Sequence, residues 1–355
     1  MKQLILLTLW AWLMASSFVV SGEIVPYSPP LATTGLRFAL ALLVILPVLW
    51  LLKARQINLE QNCATKKTVM HKQVFTQLYS ELIQKQILQP YLFISASLVV
   101  FFIGMFEALE TTTALNTSVI YTLLPLVGLL ISRLWLKEQI SLGKLTGFVM
   151  GSLAALTLLF SSKGSGPLVW NSGDLLFFVS ALFLALHVVA VQKWGSRVEP
   201  LTGAFLIVFL GCVLLLPLVL FSGSLKQVQW GKIDFWLYYL HLTLFTTVLT
   251  FVLQQWLVKH AGANKLLAFS YTIPLWVALY NAVVFASSAL DTLNTNTWEI
   301  ITFHSHKLNQ VGQILSDQFT MGFYLGVILL LLALSLIIGI KTSLKDGYGQ
   351  KATTK

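Results

Sequence analysis

Charge is scarce in this chain. Only 10% of its 355 residues are Asp, Glu, Lys or Arg, whereas 57% are hydrophobic; a soluble domain carries about 25% charged residues. With a mean hydropathy of +0.80, too little polar surface is left to cover a water-exposed globule. Cysteine is almost missing: Cys63 and Cys212 stand far apart, which excludes a disulfide framework and a cysteine-based metal site. No GxxxxGK[ST] loop occurs, which argues against an ATP-driven pump, and there is no metalloprotease motif or serine triad. No cofactor, metal or catalytic residue is therefore expected.

What is present is a series of continuous apolar runs. We place spans at 4–21, 31–52, 91–109, 115–132, 143–160, 175–192, 201–221, 235–258, 266–286 and 322–340. A helix of about 20 residues crosses a hydrocarbon core of roughly 30 Å. Lipid offers no partners to exposed backbone groups, so each run must be a helix or part of a closed barrel. Barrel strands alternate apolar and polar residues, and these runs do not. The first run, with Lys2 before it and Ala15-Ser16-Ser17 near its end, has the outline of a signal peptide. Cleavage there would leave the second span unpaired and break the duplication described below.

Lysine and arginine orient the chain. With the N-terminus inside and ten crossings, the outside segments hold only Lys163, Lys226, Lys232 and Lys307. Arg37 lies within a span, and the other 18 of the 23 basic residues fall inside. That asymmetry predicts a multi-pass protein of the cell (inner) membrane with both termini cytoplasmic. The net charge of +10 then faces anionic lipid and implies no nucleic-acid partner. Two connections are long: a cationic cytoplasmic loop at 54–90, with a surface helix around 71–88, and an outside insertion at 287–320. The insertion carries His304 and His306 near Asp291, Glu299 and Asp317. Without zinc-type spacing this reads as a solvated loop rather than a metal site.

Residues 108–130 and 257–279 match at an offset of 149, placing Pro125 on Pro274, Tyr121 on Ser270 and Ala114 on Ala263. Each segment is a short polar hinge followed by an apolar helix with a central proline, which is read as a kink. Five spans per copy is odd, so the second copy must insert upside down. The expected fold is an all-α membrane protein with ten transmembrane helices in two inverted five-helix repeats. The first repeat covers 1–161, the second 174–340, and a cytoplasmic tail covers 341–355.

Several stretches resemble the EamA-type half of the drug/metabolite transporter superfamily. MASSFVV at 14–20 is similar to that family's first-helix motif, with Met14 where tryptophan is usual. PPLATTGLRFALALLVILPVL at 29–49 resembles its second helix. ALETTTALNTSVIYTLLPLVGLLISRLWLKEQIS at 108–141 resembles helices three to five, with Pro125 in helix four and Glu138 in the acidic turn before helix five. Residues 173–193 and 256–279 resemble helix six and the helix eight–nine region. The chain departs from the family at Leu184 and His187, where tryptophan and tyrosine are common. It also has Ala286-Ser287-Ser288 in place of the second acidic turn. The resemblance implies a central cavity alternately open to either side and transport of small organic solutes, often export of amino acids.

Charge inside a span costs about 2.5–3.5 kcal/mol on insertion scales and so marks function. Arg37 either holds an anionic group such as a carboxylate or locks helices together. Glu107, followed by Glu110, sits at the outer end of span three, where an acid either carries a coupling proton or lies wet at the mouth. His187, mid-span, either couples protons or bonds to a carbonyl; Glu23 and His241 read as interfacial. Asn116, Tyr121, Gln254, Gln255, Trp256, Ser270 and Tyr271 are candidate cavity residues. The partners expected are a small-molecule substrate, the lipid bilayer and, as one option, a second copy of the chain. Glu23, Glu107, Glu110 and His241 share the outer side, which leaves a membrane-embedded enzyme acting on a lipid substrate as the alternative to a transporter.

Overall fold

A computed structural model of the chain describes residues 2–61, 76, 84–112, 117, 120–161, 171–277, 279–280 and 321–338. Among these residues every regular element is helical. The helices are α1 (Lys2–Ile24), α2 (Pro30–Gln61), α3 (Lys85–Leu109), α4 (Leu124–Trp135), α5 (Leu142–Ser161), α6 (Ser172–Trp194) and α7 (Pro200–Ser222). α8 (Ile233–Ala261), α9 (Ala263–Phe269) and α10 (Met321–Ile338) follow. Seven of them, α1, α2, α3, α6, α7, α8 and α10, are long and apolar enough to cross a membrane. α4 and the Leu142–Leu158 stretch of α5 are shorter apolar helices. Their outward side chains suit lipid: Leu43, Leu134, Leu142 and Phe221 are 70%, 80%, 80% and 90% exposed, which water would not tolerate over so many helices.

Three expectations change. The loop placed at 54–90 is helical at both ends, because α2 runs on to Gln61 and α3 begins at Lys85. The stretch Ala54–Gln61 lacks glycine and proline, so nothing stops the helix. Of the surface helix expected around 71–88, residues 85–88 belong instead to the apolar α3, and most of the rest lies outside the described residues. The span placed at 115–132 is broken: Thr122 and Leu123 form a turn, and Pro125 occupies the first turn of α4 rather than the middle of a helix. Proline is at ease there, since first-turn N–H groups have no intrahelical acceptor. Pro274 likewise follows a 3₁₀ turn, Ser270–Thr272. Residues 281–320 and 339–355, with the end of the expected ninth span, the 287–320 insertion and the tail, lie outside the described residues.

α3 packs most extensively on α6, α5 on α10, and α2 on α7; α3 also meets α7, α1 and α2 meet α8, and α4 meets α9. Small residues let the backbones close. A Cβ at Gly104 of α3 would stand 2.0 Å from Ser180 Oγ of α6, and one at Gly147 of α5 would stand 3.1 Å from the Ala333 carbonyl of α10. Pro90 in α3 has no N–H to give the carbonyl of Gln86. That carbonyl accepts from Arg197 Nη1 at 2.5 Å instead. Aromatic clusters mark two levels of the bundle. One is Trp230, Phe235, Trp236 and Tyr239; the other is Phe93, Trp135 and Trp194 with Lys193 Nζ 4.4 Å over the Trp135 ring. Two such belts are the usual anchors at membrane surfaces.

Candidate functional site

Midway along the bundle, four helices leave a cavity of about 30 Å³. α1 contributes Met14, Ser17 and Phe18; α3 contributes Leu98, Phe101, Phe102 and Met105; α6 contributes Leu184; α8 contributes Thr246, Phe251 and Gln254. The space suits a water or two and no metabolite in this conformation. Its walls are apolar and aromatic, and three polar residues, Ser17, Thr246 and Gln254, break them.

Thr246 lies where α8 changes form. Between two α-helical arms, Leu244–Leu249 winds as a π-helix, a shift of hydrogen-bond register that recurs at functional sites. Thr246 and Thr247 both donate to the Leu242 carbonyl at 2.8 Å. Their oxygens therefore point lone pairs outward, and Arg37 uses them. Its Nε donates to Thr247 Oγ1 at 3.1 Å, and its Nη2 donates to Thr246 and Thr247 at 3.2 and 3.0 Å. The guanidinium carbon lies 4.6 Å over the Phe102 ring and 6.0 Å from that of Phe106. Arg37 is 1% exposed, and its Nη1 has no hydrogen-bond partner among the described residues. No carboxylate reaches it among the described residues.

His187, 1% exposed, stands behind the same cavity. Its Nδ1 is 3.0 Å from the Ile94 carbonyl, and its Nε2 is 3.0 Å from Gln254 Nε2. A carbonyl only accepts, so Nδ1 carries the proton and Nε2 accepts from the amide. The ring is thus held neutral, and the Gln254 carbonyl oxygen is turned away from it.

Both ends of the bundle are tied across. At one end Glu138 accepts from Gln192 Nε2 and Asn264 Nδ2, each at 2.5 Å. Gln192 Oε1 in turn accepts the Ala263 N–H at 2.7 Å, one of the first-turn donors of α9 that no helical carbonyl can serve. Two left-handed residues shape this knot, Lys137 (φ 55°) and Gly262 (φ 87°). The N-terminus lies at the same end, where Gln3 Nε2 donates to the His260 carbonyl at 3.4 Å. At the opposite end Thr112 donates to Asp174, Asn171 Nδ2 donates to the Thr111 carbonyl at 2.8 Å, and Gln229 bonds to the turn between α1 and α2.

Of the residues singled out from sequence, Gln254 lines the cavity, and Arg37, Tyr121 and His187 touch its wall residues. Tyr121 is buried with its ring 4.7 Å edge-on to Phe18. Glu107 is exposed at the end of α3 beside exposed Glu110 and does not line the cavity. Trp256 stacks on His260 at 4.3 Å, away from the cavity. Gln255 turns toward α7, where a Cβ at Gly203 would meet its Oε1 at 3.1 Å. Asn116 lies outside the described residues. Among the described residues no group of His, Cys, Asp and Glu is placed to hold a metal.

Tyr271 ties helices together. Its hydroxyl donates to the Phe148 carbonyl at 2.8 Å and lies 3.0 Å from Ser152 Oγ, which also reaches the Thr122 carbonyl at 3.1 Å. The turn before Pro125 and the turn before Pro274 are thereby joined through α5. Tyr271→Phe removes this buried relay at a cost of about 1–2 kcal/mol. Thermal unfolding in detergent measures that cost; an unchanged midpoint would mean the relay contributes nothing.

The family's sequence profile matches residues 1–160 and again 171–290. The chain belongs to the EamA-like transporter family. Two relatives in Bacillus subtilis (strain 168) are uncharacterized transporters. YvbV is 30% identical over 144 residues, 41% of this chain and 46% of its own length. YetK is 22% identical over 276 residues, 77% of this chain and 76% of its own. A third, YyaM, is 26% identical over 185 residues, 57% of its length. The chain thus spans about half the length of YvbV and YyaM. One solved protein structure superposes with a TM-score of 0.61 at 15% identity, covering 93% of this chain and 94% of that one; this is a likeness of fold. Family membership and the apolar helices make the chain a multi-pass membrane protein of this family.

Missed from sequence were the partners: Thr246, Thr247 and Phe102 for Arg37, and Gln192 and Asn264 for Glu138. Asn264 alone carried a signal, being an amide in the polar hinge after Gly262.

Proposed function

We propose that this EamA-like protein is a secondary transporter that exports a small organic metabolite, such as an amino acid, by alternating access through the central cavity. The observation that carries this reading is the cavity itself: helices from both halves of the chain enclose it midway, and polar ties cover both ends. Ten transmembrane helices in two inverted repeats, 1–161 and 174–340, supply the moving parts.

Element bounds support the repeat. α1, the 3₁₀ turn Val25–Tyr27 and the start of α2 at Pro30 recur as α6, the turn Gly195–Arg197 and the start of α7 at Pro200, each shifted by 170 residues. The second prolines of α2 and α7, Pro47 and Pro217, keep that shift. At Pro125 and Pro274 the shift is 149, so the connection after α2 absorbs the difference. Packing follows the same exchange. α3 on α6 answers α1 on α8, α3 on α7 answers α2 on α8, and α2·α7, α4·α9 and α5·α10 answer themselves. Such exchange is what a pseudo-two-fold axis in the membrane plane requires.

The test is flux in sealed proteoliposomes against a panel of amino acids, organic acids and amphiphilic cations, with and without a pH gradient. Flux of one class supports the reading; none across the panel would favour an enzyme acting on lipid. For the topology, reporters at residues 70 and 345 are both expected in the cytoplasm of the cell (inner) membrane. Their appearance on opposite faces would remove the inverted halves.

A further inference from the structure

Resting on the transport reading, we infer that the solute is an organic anion, a carboxylate on a small apolar or aromatic body, and that Arg37 is the residue that holds its charge. A guanidinium has five N–H donors. Here Nε and Nη2 are spent on two threonine hydroxyls, and the two donors of Nη1 are left unserved in a side chain 1% exposed. A buried charge is expensive unless it is paired, and no carboxylate reaches Arg37 among the described residues.

The position is as informative as the missing pair. Thr246 and Phe102 both line the cavity. Arg37 bonds to the first and stacks over the second at 4.6 Å, so it stands one side chain behind the wall. Only the Phe102 ring and the Thr246 side chain stand between the guanidinium and the cavity in the contacts that Arg37 makes with wall residues. The π-turn of α8 fixes the guanidinium plane through three hydrogen bonds, leaving Nη1 as the end that can meet a carboxylate. Around it the wall is Phe18, Phe101, Phe102 and Phe251 with Met105, a surface for an apolar body rather than for a sugar or a polyamine. Among the described residues no acid lines the cavity, so a cationic solute would find no counter-charge there.

The experiment compares three probes of one skeleton on the purified full chain: phenylacetate, 2-phenylethanol and 2-phenylethylamine, with acetate as a bodiless anion. Phenylacetate is expected to bind at least about tenfold tighter than the alcohol and the amine, and tighter than acetate. Arg37→Gln is expected to erase the preference for the anion, while Arg37→Lys retains part of it. If Arg37→Gln does not fold, Thr246→Val, which removes one hydrogen bond to Nη2, is expected to weaken phenylacetate binding alone. Equal or tighter binding of the alcohol or amine, failure of phenylacetate to bind, or an intact anion preference in Arg37→Gln would overturn the inference. Flux only of solutes that lack a carboxylate would overturn it while leaving the transporter reading standing; absence of all flux would remove that reading instead.

Discussion

Glu138→Ala is expected to open the bundle at the end where the N-terminus lies. The carboxylate takes two amide donors, one from α6 through Gln192 and one from α9 through Asn264. It is carried on the turn between α4 and α5, so a single group clips the two halves of the chain together. Hydrogen bonds to a charged group are worth about 1.5–3 kcal/mol each. Glu138 is half-buried, and solvent screening reduces the pair to about 2 kcal/mol in total. Under the proposed alternating access the clip forms only when this end is closed, so its loss is expected to raise the open population about thirtyfold. A cysteine at Leu184, a wall residue of the cavity, reads this out in a chain whose Cys63 and Cys212 have been replaced. An impermeant maleimide applied to the Glu138 face is expected to react faster in the variant by that factor, with no change from the other face. Glu138→Gln keeps one acceptor and sets its own N–H₂ against a donor, so its effect is intermediate. Equal rates in all three proteins would show that Glu138 does not hold this end shut.

The sequence carried the large features because the bilayer dictates them. A helix that must cross lipid announces itself by length and apolarity, and the matched prolines at 125 and 274 marked an irregularity, read as a kink, where the helix before Pro125 in fact breaks. Arg37 was conspicuous for the same reason, as a charge in a span. What surrounds it was not. Thr246 and Thr247 become acceptors only because α8 winds as a π-helix from Leu244 to Leu249, and nothing in LFTTVL separates that register from an α-helical one. Phe102 is one aromatic among 23 phenylalanines, and its role depends on α3 meeting α2 at one height. Glu107 shows the same limit, since a coupling acid and a wet residue at the mouth read alike in sequence. Its depth along α3 was readable, but the rotation that leaves it exposed, away from the cavity, follows from the packing of α3 against α6 and α7. Position along a span is a one-dimensional fact; facing a cavity is a three-dimensional one.

His187 and Gln254 are expected to behave as one unit in a double-mutant cycle. His187→Leu leaves the Gln254 amide without the ring nitrogen it donates to and takes the imidazole N–H from the Ile94 carbonyl. Both residues are buried, so an orphaned group costs about 1–3 kcal/mol, and the single variant is expected to lose about 2–3 kcal/mol of stability. Gln254→Leu likewise strands the lone pair of Nε2. The double variant strands only the remaining ring-side partner at Ile94, whose carbonyl still has its own helix. It is therefore expected to be more stable than the sum of the singles by about 1–2 kcal/mol. Unfolding of the four proteins in detergent measures the coupling. A purely additive result would mean that the ring and the amide do not depend on each other. The tautomer follows from the same geometry: the Ile94 carbonyl forces the proton onto Nδ1, and Nε2 then forces the amide to present its oxygen elsewhere. Gln254 thus keeps a fixed acceptor at the cavity wall, two turns along α8 from Thr246, roughly 12 Å at 1.5 Å per residue. Arg37 stands behind the wall at the Thr246 end, and Gln254 lines the cavity itself. Reversing that acceptor, by losing His187, would alter which end of a solute the wall can satisfy even where the bundle still folds.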